Sequence, residues 1–175
     1  MNTNQPLTVS FTEYSTYYKV NISIDVNPKA GNYTADDLIA VYWTGGARVI
    51  PESINYTTYY KGNFFGTTIT DNDHYSGGSL GNMTNLNSNL GFPFELKTTF
   101  YNGWRQANCT NCIFNATFNI EKNSNDCTMY VSYFHKVAAC SITGLSINFS
   151  NGTITLSGSL SAQYKLEDTR IIDIH

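Results

Sequence analysis

Apolar side chains recur at every second residue through much of this chain, and that period decides the fold class. In Tyr18–Val26 the even positions are Tyr18, Val20, Ile22, Ile24 and Val26, while Lys19, Asn21, Ser23 and Asp25 fill the odd ones. Successive side chains of a strand point to opposite sides of a sheet, so such a segment buries one face and wets the other. Phe94–Tyr101, Phe114–Glu121 and Cys127–Tyr133 repeat the pattern. Ile54–Tyr60 and Asn63–Ile69 read as two further strands, and the continuous apolar run Leu38–Trp43 as a more deeply buried one. No segment keeps a helical period, and Ala35–Ile39 after Thr34 allows one helical turn at most.

Leu145–Gly158 predicts a hairpin with its register. Asn151-Gly152 is the preferred pair for a two-residue type I′ turn, in which both central residues need positive φ. That turn sets Phe149 opposite Ile154 and Ile147 opposite Leu156, with Ser150 opposite Thr153 and Asn148 opposite Thr155. The even face then continues through Leu160, Ala162, Tyr164 and Leu166, which predicts a long last strand. Together these elements predict an all-β chain of about nine or ten strands in a single antiparallel β-sandwich, Ig-like or jelly-roll-like, with a closed barrel as the alternative. Residues 13–175 form that domain. Residues 1–12 are an N-terminal extension, or an edge strand anchored by Leu7, Val9 and Phe11, or a strand donated to a neighbouring subunit through the same three side chains.

Eight Asn-x-Ser/Thr sequons lie at Asn21, Asn32, Asn55, Asn82, Asn108, Asn115, Asn148 and Asn151. With 21 Asn and 36 Ser or Thr among 175 residues, random order would give about four. None falls on a strand's apolar phase. The excess predicts an extracellular or cell-surface glycoprotein. The first 30 residues lack the apolar core of a signal peptide, so a secreted form is expected to have lost its leader. No apolar run reaches the roughly 18 residues of a membrane span.

Cys109, Cys112, Cys127 and Cys140 fall within one short stretch. No second close pair completes a zinc spacing, and no helix follows Cys112 as a thioredoxin-like motif requires. In an oxidising compartment two disulfides are expected, with three connectivities open.

Only 13% of residues are charged, the net charge is −3, and Lys and Arg form no cluster, so nucleic acid is not the partner. Asp71–Gly91 reads as a long loop, and long loops carry function. It begins Asp71-Asn72-Asp73-His74, where Asp71 and Asp73 offer alternate oxygen ligands to Ca²⁺, the one cofactor any pattern here allows. Trp43 is expected in the core. Trp104, in Tyr101-Asn102-Gly103-Trp104-Arg105, is expected to plug one end of the sandwich, the other role being to stack on a sugar ring. His135 reads as structural, and no catalytic motif is present. The chain is therefore expected to be a non-catalytic structural or adhesive subunit, such as part of a cell-surface filament or coat, self-associating into a homo-oligomer or filament. The alternative is a secreted lectin or carbohydrate-binding module with a glycan ligand.

Overall fold

The computed structural model describes residues 3–28, 36–76, 84–123, 126–137, 145–158 and 161–175. Their strands are β1 (Thr3–Glu13), β2 (Tyr17–Val26), β3 (Asp36–Trp43), β4 (Val49–Phe64), β5 (Thr67–Ser76), β6 (Asn89–Glu95), β7 (Thr99–Asn102), β8 (Arg105–Glu121), β9 (Cys127–Lys136), β10 (Ser146–Ser150), β11 (Thr153–Ser157) and β12 (Tyr164–Ile174). One sheet runs β1-β2-β8-β4-β5, with the short β7 also paired to β8. The other runs β12-β9-β3-β6, and β10-β11 stands apart as a hairpin. Every pairing is antiparallel, so the architecture is the all-β sandwich that the period of two implies.

The inward phases of the two sheets meet in an aromatic core. Phe94 of β6 lies 4.8 Å from Phe114 of β8, and Phe92 sits 6.0 Å from Phe118, ring centre to ring centre. Such offset and tilted pairs add to the burial of their area. Trp43 is buried as expected, and its indole Nε1–H donates to the Ala47 carbonyl at 2.7 Å. Asp37, at 1% exposure, is the most deeply buried carboxylate among the described residues. It accepts from the Tyr133 hydroxyl, from His135 Nδ1 at 3.0 Å and from the Lys136 backbone N–H at 3.1 Å, which gives His135 a structural place tying β3 to β9.

The β10–β11 hairpin forms in the register its turn dictates, with Phe149 opposite Ile154 and Ile147 opposite Leu156. Asn151 and Gly152 take φ of 52° and 74°. Its apolar face covers the outer side of the second sheet, where Phe149 stacks 4.3 Å from Tyr42, and Ile154 joins Leu38, Ala40 and Phe134. This third layer is the reason β3 is apolar on both phases: one side faces the core and the other the hairpin.

Three expectations are corrected. Ile54–Tyr60 and the start of Asn63–Ile69 are one strand, β4, and the turn falls at Phe65-Gly66. Asp71–Ser76 belongs to β5 and not to a loop. The last strand is interrupted: β11 ends at Ser157, and a 3-10 turn over Ser161–Gln163 precedes β12. β1 pairs with β2 of its own chain, as the edge strand that is one of the readings of this segment. Leu7 is buried in the core, Val9 packs beside it and Phe11 is exposed. The Leu7 N–H donates to Asp168 Oδ2 at 3.2 Å and Arg170 Nε donates to the Leu7 carbonyl at 2.8 Å, so side chains of β12 join the edges of the two sheets. Among the described residues no helix is long and apolar enough to cross a membrane.

Candidate functional site

Two hairpin tips meet at one end of the sandwich. β4 and β8 stay paired as far as Asn63 and Asn108, beyond Cys112, where the β2 pairing stops. In the β4–β5 turn, Phe64 pairs with Thr67 around Phe65 and Gly66. Both central residues have positive φ, 46° for Phe65 and 82° for Gly66, which is type I′ geometry. Asn, Asp and Gly suit that first position. A bulky side chain there is strained, because its Cβ crowds the backbone. The Asn63 side chain stabilises the turn by accepting from the Gly66 N–H at 2.7 Å. Phe65 gains little burial for its strain, as it is 94% exposed.

In the β7–β8 turn, Asn102 pairs with Arg105 around Gly103 and Trp104. Gly103 has φ of 61° while Trp104 keeps an ordinary negative φ, the arrangement of a type II′ turn with Gly first. Trp104 is 78% exposed, so it does not plug the core as expected. Phe64 lies edge-on to both neighbours, 4.7 Å from Phe65 and 5.6 Å from Trp104. The Arg105 guanidinium stands 5.5 Å from the Trp104 ring, within cation–π range. Asn102 Nδ2 donates to the Thr70 carbonyl at 2.9 Å and pins this hairpin to β5.

Beside the tips a cleft of about 370 Å³ is lined by Asp71, Glu95, Lys97, Thr98, Thr99, Phe100 and Tyr101. Tyr101 is exposed, one residue from the β7–β8 turn. The Lys97 ammonium lies 3.0 Å from Asp73 Oδ2 and 4.3 Å from the centre of the Tyr60 ring. The Tyr60 hydroxyl donates to Asp73 Oδ2 at 3.0 Å and lies 3.1 Å from the Glu95 carbonyl. Burial disfavours the Lys97 charge, yet the hydrogen bond and charge of Asp73 outweigh it and raise its pKa. Burial, then the Asp73 charge, push the Tyr60 phenol far above its usual range, so it serves as a neutral donor. The Asp73 carboxylate is thus engaged by an ammonium, while Asp71 faces the cleft. Among the described residues no three His, Cys, Asp or Glu side chains gather as a metal centre would need.

The sequons fall in an ordered pattern. Asn21 and Asn55 both pair with Thr117, and Asn115 pairs with Ser23 and Thr57. Three acceptors and their hydroxyl partners therefore interleave in two rows across β2, β8 and β4, on the outer face of the first sheet. Asn108, Asn148 and Asn151 are exposed, and Asn32 and Asn82 lie outside the described residues. Cys109, Cys112 and Cys127 are buried free thiols, and Cys140 lies outside the described residues.

Neither a protein-family model nor a curated protein sequence matches the chain. Among solved structures, the collagen-binding domain from a Staphylococcus aureus adhesin is similar, at 11% identity over 88% of this chain and 96% of that one, with a TM-score of 0.42. So loose a superposition carries no argument about fold or ligand.

Sequence pattern alone does not single out Phe65 or Tyr101 as exposed rings. What signal there is for Phe65 lies before it: Tyr56, Thr58, Tyr60, Gly62 and Phe64 hold one phase of β4 and run straight into an X-Gly pair followed by Thr-rich alternation.

Proposed function

We propose that this is a non-catalytic adhesive domain of the cell surface or extracellular space, and that it grips its partner with the aromatic end of the sandwich. The carrying observation is Phe65, an almost fully exposed aromatic held in a left-handed turn position beside the exposed Trp104. Stability alone would select Asn at that position, as the Asn151-Gly152 turn of this same chain does. Strain kept at an exposed aromatic is the signature of a contact residue. Rigid aromatic rings flanked by Arg are the side chains that dominate recognition surfaces.

The neighbouring cleft favours a carbohydrate as the ligand. Tyr101 and Trp104 offer ring faces to a pyranose, while Asp71, Glu95 and Thr99 offer hydrogen-bonding groups to its hydroxyls. Sequon glycans would cover the outer face of the first sheet and leave the tip as the contact. Self-association would use the same end, since β1 is already paired within its own sheet.

The test is binding of the unglycosylated protein to an immobilised glycan panel, with and without Ca²⁺, beside light scattering of the free protein. Phe65→Ala with Trp104→Ala should abolish retention on whatever surface the wild type binds. Equal retention by the double variant would dismiss the tip as the contact.

A further inference from the structure

Cys109 and Cys112 are three residues apart on β8, and regular strand alternation would send them to opposite faces. Thr110 prevents this. Opposite β4, Asn111 pairs with Lys61 and Cys109 with Gly62, so Thr110 is an extra residue, a β-bulge. Alternation resumes one residue out of phase. Ala107 and Cys109 point inward before the bulge, and Cys112 and Phe114 point inward after it. The two sulfurs end up 3.8 Å apart on one face, with Cys109 at 6% exposure and Cys112 at 0%.

We propose that Cys109 and Cys112 close into an intrastrand disulfide across this bulge, and that it is the one disulfide the folded monomer forms. A small disulfide such as oxidised glutathione supplies the oxidising equivalents. The Cys109 thiolate attacks one glutathione sulfur, the glutathione S–S bond breaks, and one glutathione thiolate leaves. Cys112 then loses its proton to solvent and attacks Cys109 Sγ, and the second glutathione thiolate leaves. Two cysteine thiols are oxidised and one glutathione disulfide is reduced to two thiols. The order of attack follows from the pair itself: the hydrogen bond from Cys112 lowers the Cys109 pKa against the opposing effect of burial, and the same bond with burial raises that of Cys112. Only thiolate attacks.

Chain reach removes the second bridge expected from the sequence. β9 carries the backbone from Cys127 to Lys136 over ten residues, roughly 30 Å at strand rise. The four residues from Lys136 to Cys140 span at most about 14 Å, whatever course they take. More than ~7 Å between α-carbons defeats a disulfide, so Cys127 and Cys140 of one chain do not join. The Cys109–Cys112 bridge would lie under the aromatic end: the Cys109 N–H donates to the Thr98 carbonyl at 2.8 Å, and the Cys112 thiol lies 3.8 Å from the Lys97 carbonyl. It would fix β8 where it leaves the sandwich body for the tip.

Tryptic cleavage after Arg105 and Lys122 leaves both sulfurs in the peptide Gln106–Lys122. Unglycosylated protein is reduced, freed of reductant, incubated folded with oxidised glutathione, unfolded in denaturant, blocked there with N-ethylmaleimide and digested. The expected result is that this peptide runs about 2 Da below its reduced mass without maleimide, while the Cys127 and Cys140 peptides each carry one label. Cys112→Ser should stop at a glutathione adduct on Cys109. Two maleimides on Gln106–Lys122, or its cross-linking to either other cysteine peptide, would overturn the assignment.

Discussion

Phe65 can be tested against its own backbone. Its φ of 46° places a bulky residue in the left-handed region at a cost of about 1 kcal/mol. Its ring recovers part of this through the edge contact with Phe64 at 4.7 Å, about 0.5 kcal/mol for so exposed a pair. Phe65→Ala deletes the ring and keeps the strain, so it should lose about 0.5 kcal/mol. Phe65→Asn deletes the same ring but relieves the strain, because Asn tolerates this conformation. It should end about 1 kcal/mol above the Ala variant and slightly above the wild type. In a chain of this length that difference is roughly 2–4 °C in Tm, and it should appear as a shift of the urea midpoint at constant slope. An Asn variant no more stable than the Ala variant would show that the position is not strained, and the functional argument would lose its premise. Both variants should lose binding alike. A Phe65→Asn protein that is more stable and still binds would dismiss the ring as a contact.

Other residues give sharper stability readings. Gly62→Ala should lose about 2 kcal/mol in urea denaturation, since its Cβ would come 2.4 Å from the Asn108 carbonyl oxygen and 2.9 Å from the Phe100 ring. Asp37→Ala should lose about 3 kcal/mol by leaving the Tyr133 hydroxyl, His135 and the Lys136 N–H without their acceptor. Burial, with Asp173 nearby, pushes the Cys127 thiol up to about 11, so alkylation of Cys127 in the folded protein should stay slow at pH 8 and accelerate toward pH 11. A thiol raised on folding favours the native state in its neutral form. That contribution is whole below the unfolded pKa of about 8.5 and disappears as pH rises through about 11. Asn108, three residues from Arg105, is the described sequon nearest the tip on β8, so in protein from a secretory host Asn108→Gln should strengthen binding, whereas Asn115→Gln should not. Equal effects of the two would separate the tip from the contact.

The fold was legible wherever one face of a strand is wet. β2, the later part of β8 and the β10–β11 hairpin follow from alternation and from Asn151-Gly152, whose side chains and turn specify the same register. The three-layer arrangement was not legible. Leu38–Trp43 shows that β3 is buried on both sides but carries no mark of what covers it, since non-local packing leaves no local pattern. The site was hidden for a related reason. An aromatic side chain reads as core by composition, and only the turn geometry at Phe65 and Trp104 turns those rings outward. The bulge at Thr110 was equally silent, because a single extra residue shifts phase without changing composition.

These departures share a direction. Polar rows containing Asn21, Asn55 and Asn115 cover the outer face of the first sheet, the β10–β11 hairpin covers that of the second, and Asp168 and Arg170 bind the β1 edge. Wherever the chain has an exposed sheet face or edge in these places, it has polar groups or another layer on it. At the far end it does the reverse: Phe65, Tyr101 and Trp104 are each more than half exposed, and all three lie on two adjoining hairpins. A chain with 13 Tyr and 10 Phe had ample means to bury its rings, and its core uses them throughout. Three left in water together, one of them in a strained turn and one beside an arginine, are costly to solubility and to stability alike. A partner that removes them from water accounts for both costs.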